Sequence, residues 1–380
     1  MELKVLHLID SGGLYGAERM LLALVETQRA QGLDAVILSA GEPNQEVKPL
    51  EDEARRLGLP VKSWRMSPGF NVSESWRILK WAHSNGYDIL HSHGFKFNVL
   101  IGSYPIKIRK IPMVTTLHGY VHAKKFRKIW LYEALDRYAI RFLQGIVLVG
   151  EAMTKQLPVA VSNNENVVVI PNGLDIKGVA ARASQPIEND IQEFISDHFP
   201  IILGVGRLSE EKGFDRLIEA FQGVCINYEN PGLLIVGEGK QKKKFQLRVK
   251  ELGMQDRVLM PGYCKNVPAL QRMSDLLVIP SLTEGLPITL LEAMAVGVPV
   301  LVSPVGEMPA VIGEGRGGYL LPEHCDSDEL AICILSALED PERNAKKDWS
   351  LKSVTTSYSV EAMEARYREL YHGMLAEKWW

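Results

Sequence analysis

The segment that decides the fold is residues 276–302, with the sequence LLVIPSLTEGLPITLLEAMAVGVPVLV. Its first four residues form an apolar run of strand length, and residues 280–285 contain turn-forming residues. Across residues 286–296 leucines and Met recur at helical spacing, and Gly297 and Pro299 end the helix before a second apolar run. The segment therefore predicts strand, loop, helix and strand, which is the repeating unit of a parallel sheet.

Two glutamates lie eight residues apart in this segment, Glu284 in the loop and Glu292 in the helix. The carboxyl ends of parallel strands face a ligand crevice, so we expect Glu284 on the crevice loop. At ~1.5 Å per residue Glu292 lies up to ~12 Å along the helix axis. Carboxylates accept hydrogen bonds from neighbouring hydroxyls, and this spacing matches the hexose and the ribose of a nucleotide sugar.

The same alternation of strand and helix extends through both halves of the 380-residue chain, which predicts two α/β domains with parallel sheets. We assign residues 1–174 to the first domain, 175–199 to a polar linker, 200–359 to the second domain and 360–380 to a final helix. The predicted strands are 4–9, 34–39, 89–91, 113–117, 145–149, 167–170, 201–205, 233–236, 258–260, 276–279 and 298–302.

Composition is that of a globular enzyme, with 46% hydrophobic and 23% charged residues. A net charge of −3 does not indicate nucleic-acid binding. The apolar runs are shorter than the ~18 residues of a membrane span, and the N-terminus lacks the features of a signal peptide. Four cysteines without metal-ligand spacing favour a reducing compartment, so we expect a cytoplasmic protein.

A second charged motif, GRLSEEKG at residues 206–213, follows the first strand of the second domain. Arg207 and Lys212 leave the carboxyl end of that strand, where a guanidinium fork and an ammonium would bind a diphosphate. The alternative is a surface loop in which both cations pair with Glu210 and Glu211.

Three short motifs follow strands of the first domain. The glycine-rich turn SGGLYGAE contains Gly13 and Gly16, and it predicts a close backbone approach to a phosphate, or a plain turn. His118 in TLHG ends another strand and is a candidate donor to a phosphate or sugar hydroxyl, or a structural histidine. Asn172 in IPNGLD belongs to a turn at the domain junction, or to a wall of the crevice.

His91 and His93 share one face of a strand, which is a weak indication of a metal site. The sequence offers no third ligand at suitable spacing, and we expect no metal.

The stretch 104–130 carries seven Lys or Arg residues and no acid, with Phe126 and Trp130 among them. This pattern predicts either contact with an anionic membrane surface or a solvated basic face.

Together these motifs resemble the retaining, nucleotide-sugar-dependent glycosyltransferases of family 4. The resemblance spans about residues 4–321 and rests on the paired glutamates, GRLSEEKG, GGLYGAER, TLHG and IPNGLD in the order of the family. It implies the GT-B fold, in which two Rossmann-like domains face each other across a cleft. It also implies that the last helix packs back on the first domain and that neither a metal nor another cofactor is required.

The resemblance assigns a role to each matching position. Glu292 would bind the ribose, Glu284 the donor sugar, and Arg207 and Lys212 the diphosphate, while His118 would lie near the transferred sugar. The other donor-binding candidates are Gly13 or Gly16, Asn172, and the start of the helix at Gly285, Leu286, Pro287, Ile288 and Thr289.

The predicted activity is transfer of a sugar, with retention of configuration, from a UDP- or GDP-sugar to a hydroxyl acceptor. A glycan or glycolipid intermediate of surface polysaccharide or lipopolysaccharide synthesis is the expected acceptor, at the inner face of the membrane if stretch 104–130 binds there. Two alternatives stay open: a GT-B sugar-nucleotide epimerase, and a non-catalytic protein that binds sugar nucleotides.

Overall fold

The computed structural model describes residues 3–67, 69, 71–117, 128–157, 161 and 165–377. The chain forms two compact units. The first contains residues Met1–Gly173 and Val360–Trp380, and the second contains Leu174–Ser359.

The first unit is built on a parallel sheet of seven strands in the order β3-β2-β1-β4-β5-β6-β7. Most of its strands are buried on both faces, as expected for a parallel sheet covered by helices. The strands are β1 (Lys4–Ile9), β2 (Asp34–Gly41), β3 (Val61–Arg65), β4 (Ile89–Ser92), β5 (Met113–Leu117), β6 (Gly145–Leu148) and β7 (Val167–Val169).

Helices connect these strands and cover the sheet. In α1 the apolar side chains of Met20, Leu21 and Leu24 are buried, as predicted from their helical spacing. The described helices before the second unit are α1 (Gly16–Ala30), α2 (Pro49–Arg56), α3 (Val72–Ser84), α4 (Phe95–Phe97), α5 (Ile106–Arg109) and α6 (Lys128–Ala139).

The second unit contains a parallel sheet of six strands in the order β10-β9-β8-β11-β12-β13. Two apolar cores fill the space between this sheet and the helices on its two faces. The strands are β8 (Ile201–Val205), β9 (Gly232–Val236), β10 (Val258–Gly262), β11 (Leu276–Ile279), β12 (Val300–Val302) and β13 (Tyr319–Leu320).

Nine α-helices of the second unit surround this sheet within residues 174–359, all of which are described. They are α7 (Ile176–Ala183), α8 (Asn189–Asp197), α9 (Phe214–Asn227), α10 (Lys242–Glu251), α11 (Val267–Arg272), α12 (Ile288–Val296), α13 (Met308–Val311), α14 (Ser327–Glu339) and α15 (Arg343–Ser357).

Segment 175–199, predicted to be a linker, instead forms α7 and α8 of the second unit. Val179, Ile187 and Ile191 from this segment are buried in one of the two cores of that unit. The polar composition misled the prediction because these few apolar residues are enough to anchor two short helices.

The last helix, α16 (Val360–Ala376), lies in the first unit. Its buried face presents Met363, Tyr367, Tyr371 and Met374 to a core that also contains residues of β1, β4, β5 and α1. Burying this apolar face stabilises the attachment of a helix that is far from the rest of its unit in the sequence.

In each sheet the strand order reverses direction between two central neighbours, β1 and β4 in the first unit and β8 and β11 in the second. Loops that leave such neighbours diverge to opposite faces and open a crevice at the carboxyl edge of the sheet. Each unit therefore has one place where a ligand site is expected.

Candidate active site

In the second unit the two charged motifs lie at this switch point. GRLSEEKG follows β8, and the loop with Glu284 follows β11, the strand paired with β8. Lys212 Nζ donates a hydrogen bond to Glu284 Oε1, and Ser281 Oγ donates to the same oxygen at 2.9 Å. The structure thus brings together two of the predicted residues that are 72 positions apart in the chain.

This ion pair is largely shielded from water, since the side chains of Lys212 and Glu284 are only 22% and 12% exposed. Arg207, by contrast, is exposed just beyond the end of β8. A ligand can therefore reach Arg207 without breaking a buried contact.

Backbone contacts hold the two loops against each other. Leu282 N–H donates to Glu211 O at 2.8 Å. Gly213 has a φ of 66°, and a Cβ added there would lie 2.2 Å from Pro280 O, so this close approach requires glycine. The position of Lys212 relative to the β11 loop is thereby fixed by the main chain.

The Arg207 loop also contacts the end of β9. Gly237 has a φ of 144°, and a Cβ there would lie 1.8 Å from Gly206 O. Leu208, the residue after Arg207, is also held there, because its N–H donates to Glu238 O at 3.0 Å. The two backbones are packed too closely for any side chain at position 237.

Glu292 lies in the middle of α12, as predicted, and is 9% exposed. Burial raises the pKa of its carboxyl, and the charge of Arg182 opposes that rise. Arg182 in α7 donates to Glu292 Oε1 at 2.9 Å. We did not predict Arg182, because it lies in the segment taken for a linker and no motif marks it.

The start of α12, directly after the loop that carries Glu284, supplies backbone N–H donors. The helix begins at Ile288, with Pro287 as its N-cap, two residues later than predicted. The first N–H groups of a helix, here those of Ile288 and Thr289, have no intrahelical acceptor and attract anions. A Cβ added at Gly285 would meet no atom of the described residues within 4 Å, so the backbone before the helix is open to a ligand.

The first-unit candidates are placed as follows. Gly16 begins α1 after the turn, and a Cβ there would meet nothing in the described part of the chain within 4 Å. Gly13 instead lies against the ring of Tyr15, which would be 2.6 Å from an added Cβ. Asn172 is partly exposed after β7, and His118 lies outside the described residues. The roles of these four residues stay predictions.

Comparison with known families identifies the chain. The model of the family "Glycosyltransferase Family 4" matches residues 15–177, and that of "Glycosyl transferases group 1" matches residues 184–350. The two matches follow each other along the chain and together cover most of it. The chain belongs to the family 4 glycosyltransferases.

Individual relatives agree with this assignment. The glycosyltransferase is 24% identical over 390 residues to the UDP-Gal:alpha-D-GlcNAc-diphosphoundecaprenol alpha-1,3-galactosyltransferase of Escherichia coli, covering 99% of this chain and 98% of that protein. It is 27% identical over 314 residues to the N-acetyl-alpha-D-glucosaminyl L-malate synthase of Bacillus anthracis, covering 82% and 81% of the two chains.

A solved structure confirms the fold. HepE of Anabaena, crystallised in complex with UDP, superposes with a TM-score of 0.76 at 22% identity and covers 98% of this chain and 100% of its own. The predictions of the family and of a GT-B fold with two Rossmann-like domains are therefore confirmed.

The first unit of the glycosyltransferase also contains a buried cluster of three histidines. His7 in β1 pairs in register with His91 in β4 and joins the two histidines that the sequence placed on one face. Each of the three offers a ring nitrogen, and these nitrogens lie within 4.8 Å of one another. The third potential ligand that the sequence did not reveal is thus supplied by a neighbouring strand.

Hydrogen bonds give this cluster a structural role. His7 Nε2 lies 2.8 Å from Gln28 Oε1, which can only accept, so His7 Nδ1 accepts from His93 Nε2 at 3.0 Å. His91 contacts Tyr371 Oη of α16 at 2.7 Å and Thr116 Oγ1 at 2.8 Å. Both ring nitrogens of His7 and both of His91 already lie in hydrogen bonds, so we interpret the cluster as a polar network that attaches α16 to the sheet.

The network predicts loss of stability in acid. Burial lowers the pKa of His7 from 6.5 to about 4, so the folded protein holds the neutral ring while the unfolded chain takes up a proton below pH 6.5. The contribution of the neutral His7 to the free energy of unfolding is complete above pH 6.5 and is lost as the pH falls towards 4. Between pH 7 and pH 5 the free energy of unfolding of the first unit should fall by about 2 kcal/mol from His7 alone. Urea denaturation at the two pH values measures this.

The variant His7→Gln should reduce that pH dependence. His372→Gln, which changes an exposed histidine of α16, should leave it unchanged. An equal pH dependence in His7→Gln and the unmodified protein would contradict a buried neutral His7.

The basic stretch 104–130 is only partly described, since Lys124, Lys125, Phe126 and Arg127 lie outside the described residues. Arg109, one of the seven cations, is fully buried and donates to Gly102 O and Ile111 O. The prediction that Arg109 is a surface cation was wrong, because its guanidinium instead donates hydrogen bonds to backbone carbonyls inside the unit. Lys107 and Lys110 are exposed.

Among the described residues, none of the helices combines the length and the apolar character needed to cross a bilayer.

Proposed function

We propose that this glycosyltransferase moves a sugar from a UDP- or GDP-sugar to a hydroxyl of a glycan or lipid-linked acceptor, with retention of configuration and without a metal ion. The contact between Lys212 and Glu284 at the switch point of the second sheet carries the proposal. Lys212 is a cation suited to a diphosphate, and Glu284 is a carboxylate suited to sugar hydroxyls. The bond to be broken joins a sugar to a diphosphate, so the pair matches the two sides of that bond.

In the proposed complex the diphosphate lies between Arg207, Lys212 and the start of α12. Arg207 is exposed, and the N–H groups of Ile288 and Thr289 have no intrahelical acceptor, so in this proposal both would donate to the diphosphate together with Lys212. As the bond between the sugar and the diphosphate breaks, negative charge accumulates on the phosphate oxygens. Fixed positive groups stabilise that charge more than the charge of the intact donor.

The two glutamates would orient the donor. Glu292 Oε1 is held by Arg182, which leaves Oε2 for the ribose hydroxyls, and Glu284 would accept from the transferred sugar. Ser281 and Lys212 both donate to Glu284 Oε1, so its other oxygen faces the ligand in this proposal. Gly13 or Gly16, Asn172 and His118 of the first unit remain donor-binding candidates in this proposal.

The configuration of the sugar is retained if the bond that breaks and the bond that forms lie on the same face of the sugar ring. The bond from the anomeric carbon to the diphosphate breaks, a bond to the acceptor oxygen forms, and the acceptor proton passes to a departing phosphate oxygen. Lys212 and Arg207 would hold the diphosphate where it can receive that proton. This scheme requires no protein base, and the family resemblance supports it.

The acceptor assignment rests on the relatives. The name of the Escherichia coli relative includes a sugar-diphosphoundecaprenol, and we propose a lipid-linked or glycan acceptor here. We also propose a cytoplasmic protein that contacts an anionic membrane through stretch 104–130, with Lys107 and Lys110 as its exposed cations. All four cysteines are free thiols, which agrees with a reducing compartment.

Assaying the release of UDP and GDP from their sugars, with EDTA present and with a panel of lipid-linked acceptors, tests the proposal. We expect release that depends on an acceptor, and a product whose anomeric configuration, read by NMR, matches that of the donor. An inverted product would overturn retention. Conversion of the donor without any acceptor would favour the epimerase, and nucleotide-sugar binding without turnover would favour the non-catalytic alternative.

A further inference from the structure

A cavity of about 710 Å³ lies within the first unit. It occupies the carboxyl edge of the sheet where β1, β2 and β4 end, which includes the switch point between β1 and β4. This volume falls within the range of small-molecule sites. The polar side chains that line it include Asp10, Ser11, Asn44, Gln45, Lys48 and Lys96.

Two ammonium groups share one carboxylate in this cavity. Lys48 Nζ lies 2.8 Å from Asp10 Oδ1, and Lys96 Nζ lies 2.7 Å from Asp10 Oδ2. Lys48 is almost completely buried, and its ammonium also donates to Ala40 O. Lys96 retains 20% of its side-chain exposure.

Asp10 is ionised and has both oxygens occupied. Burial alone would raise the pKa of its carboxyl, but the hydrogen bonds from Lys48 and Lys96 outweigh burial and lower that pKa. Asp10 is thus unsuited to accept a proton from a substrate. Its role is to position two cations, and the three groups together carry one excess positive charge.

The loop after β2 that carries Lys48 is fixed in place. Arg65 donates through Nε to Gln45 O at 2.7 Å and through Nη2 to Glu46 O at 2.9 Å. The same guanidinium is bound to the buried Glu51 at 2.8 Å. Hydrogen bonds from Arg65 outweigh burial and lower the pKa of Glu51 to about 2, so this anchor stays charged. The cavity wall is therefore preorganised.

The charge arrangement favours an anion as the occupant. A buried ammonium is costly to desolvate, and one carboxylate compensates one of the two cations. Glu42 is the other acid that lines the cavity, but it is exposed, and water and salt screen its charge. An ammonium has three N–H donors, so Lys96 can bind a further anion while it keeps its bond to Asp10.

We propose that this cavity binds an anionic group of the acceptor, a phosphate or a carboxylate, through Lys96, with Lys48 and Asp10 as positioning residues. The inference deepens the proposed function and rests on it, because it assigns the acceptor class to molecules that carry such a group. A neutral sugar acceptor would lack the contact that Lys96 provides.

Calorimetric titration of the full chain with glycerol 3-phosphate, malonate and glycerol at low ionic strength tests this, with and without saturating UDP or GDP. We expect one or both anions to bind and uncharged glycerol not to bind. Binding of glycerol 3-phosphate alone assigns a phosphate, and binding of malonate alone assigns a carboxylate. Lys96→Met should weaken the binding at least tenfold, and Lys96→Arg should largely restore it.

Two matched variants locate the bound anion. Lys62→Met removes an exposed lysine of the same unit, and Lys212→Met removes the donor-site cation, and neither should affect anion binding. No binding of either anion, or unchanged binding in Lys96→Met, would overturn the inference. Nucleotide binding without anion binding would refute this inference alone, whereas anion binding without nucleotide binding would refute the proposed donor site.

Discussion

Replacing Lys212 with methionine is expected to lower kcat/KM for sugar transfer by roughly 100-fold. A hydrogen bond to a charged group contributes about 1.5–3 kcal/mol, which corresponds to roughly 10- to 150-fold in rate. The upper part of this range applies because the variant also leaves the Glu284 carboxylate, 12% exposed, without its cation. Combining Lys212→Met with Arg207→Met should exceed several hundredfold. Steady-state assays of nucleotide release measure both effects.

Lys243→Met is the matched control, because Lys243 is an exposed lysine of α10 in the same unit. It should retain full activity, and Lys212→Arg should retain part of it. A Lys212→Met enzyme with transfer rates close to those of the unmodified protein would show that the assigned diphosphate site is wrong.

Replacing Gly237 with alanine is expected to destabilise the second unit by about 3 kcal/mol or more. The Cβ would lie 1.8 Å from Gly206 O, and the φ of 144° is one that alanine rarely adopts. The end of β9 and the loop that carries Arg207 would have to separate. Chemical denaturation measures the loss of stability, and transfer activity should fall with it because Arg207 moves.

Gly373→Ala provides the comparison. Gly373 lies inside α16, where an added Cβ would meet no atom of the described residues within 4 Å. Alanine there should stabilise the helix by up to about 1 kcal/mol. If Gly237→Ala is as stable as the unmodified protein, the close packing of the two backbones is not as described.

The long apolar strands could be predicted from sequence because a buried parallel strand is a continuous apolar run. Strand β3 (Val61–Arg65, VKSWR) was missed because it pairs only with β2 at one edge of the sheet, where polar residues are tolerated. Strand β13 has only two residues and gives no pattern. Helix α12 begins later than predicted because Pro287 has an extended conformation and precedes the first turn.

Lys212 and Glu284 could be singled out from sequence because each belongs to a loop that directly follows an identifiable strand. Contacts between distant loops could not, because they depend on the order of strands in the sheet. Asp10 is 38 residues from Lys48 and 86 from Lys96, and only the order β2-β1-β4 brings them together. His7 was missed for the same reason, since its register with His91 follows from the pairing of β1 with β4.

Calorimetric titration of UDP and GDP into the full chain, and into the Arg207→Met, Lys212→Met double variant, tests the central claim most directly. That claim is that the loops after β8 and β11 form one nucleotide-sugar site. We predict that at least one of the two nucleotides binds with a stoichiometry of one and that the double variant weakens this binding by more than tenfold. Equal affinity in the two proteins, or no binding of either nucleotide to the unmodified chain, would contradict it.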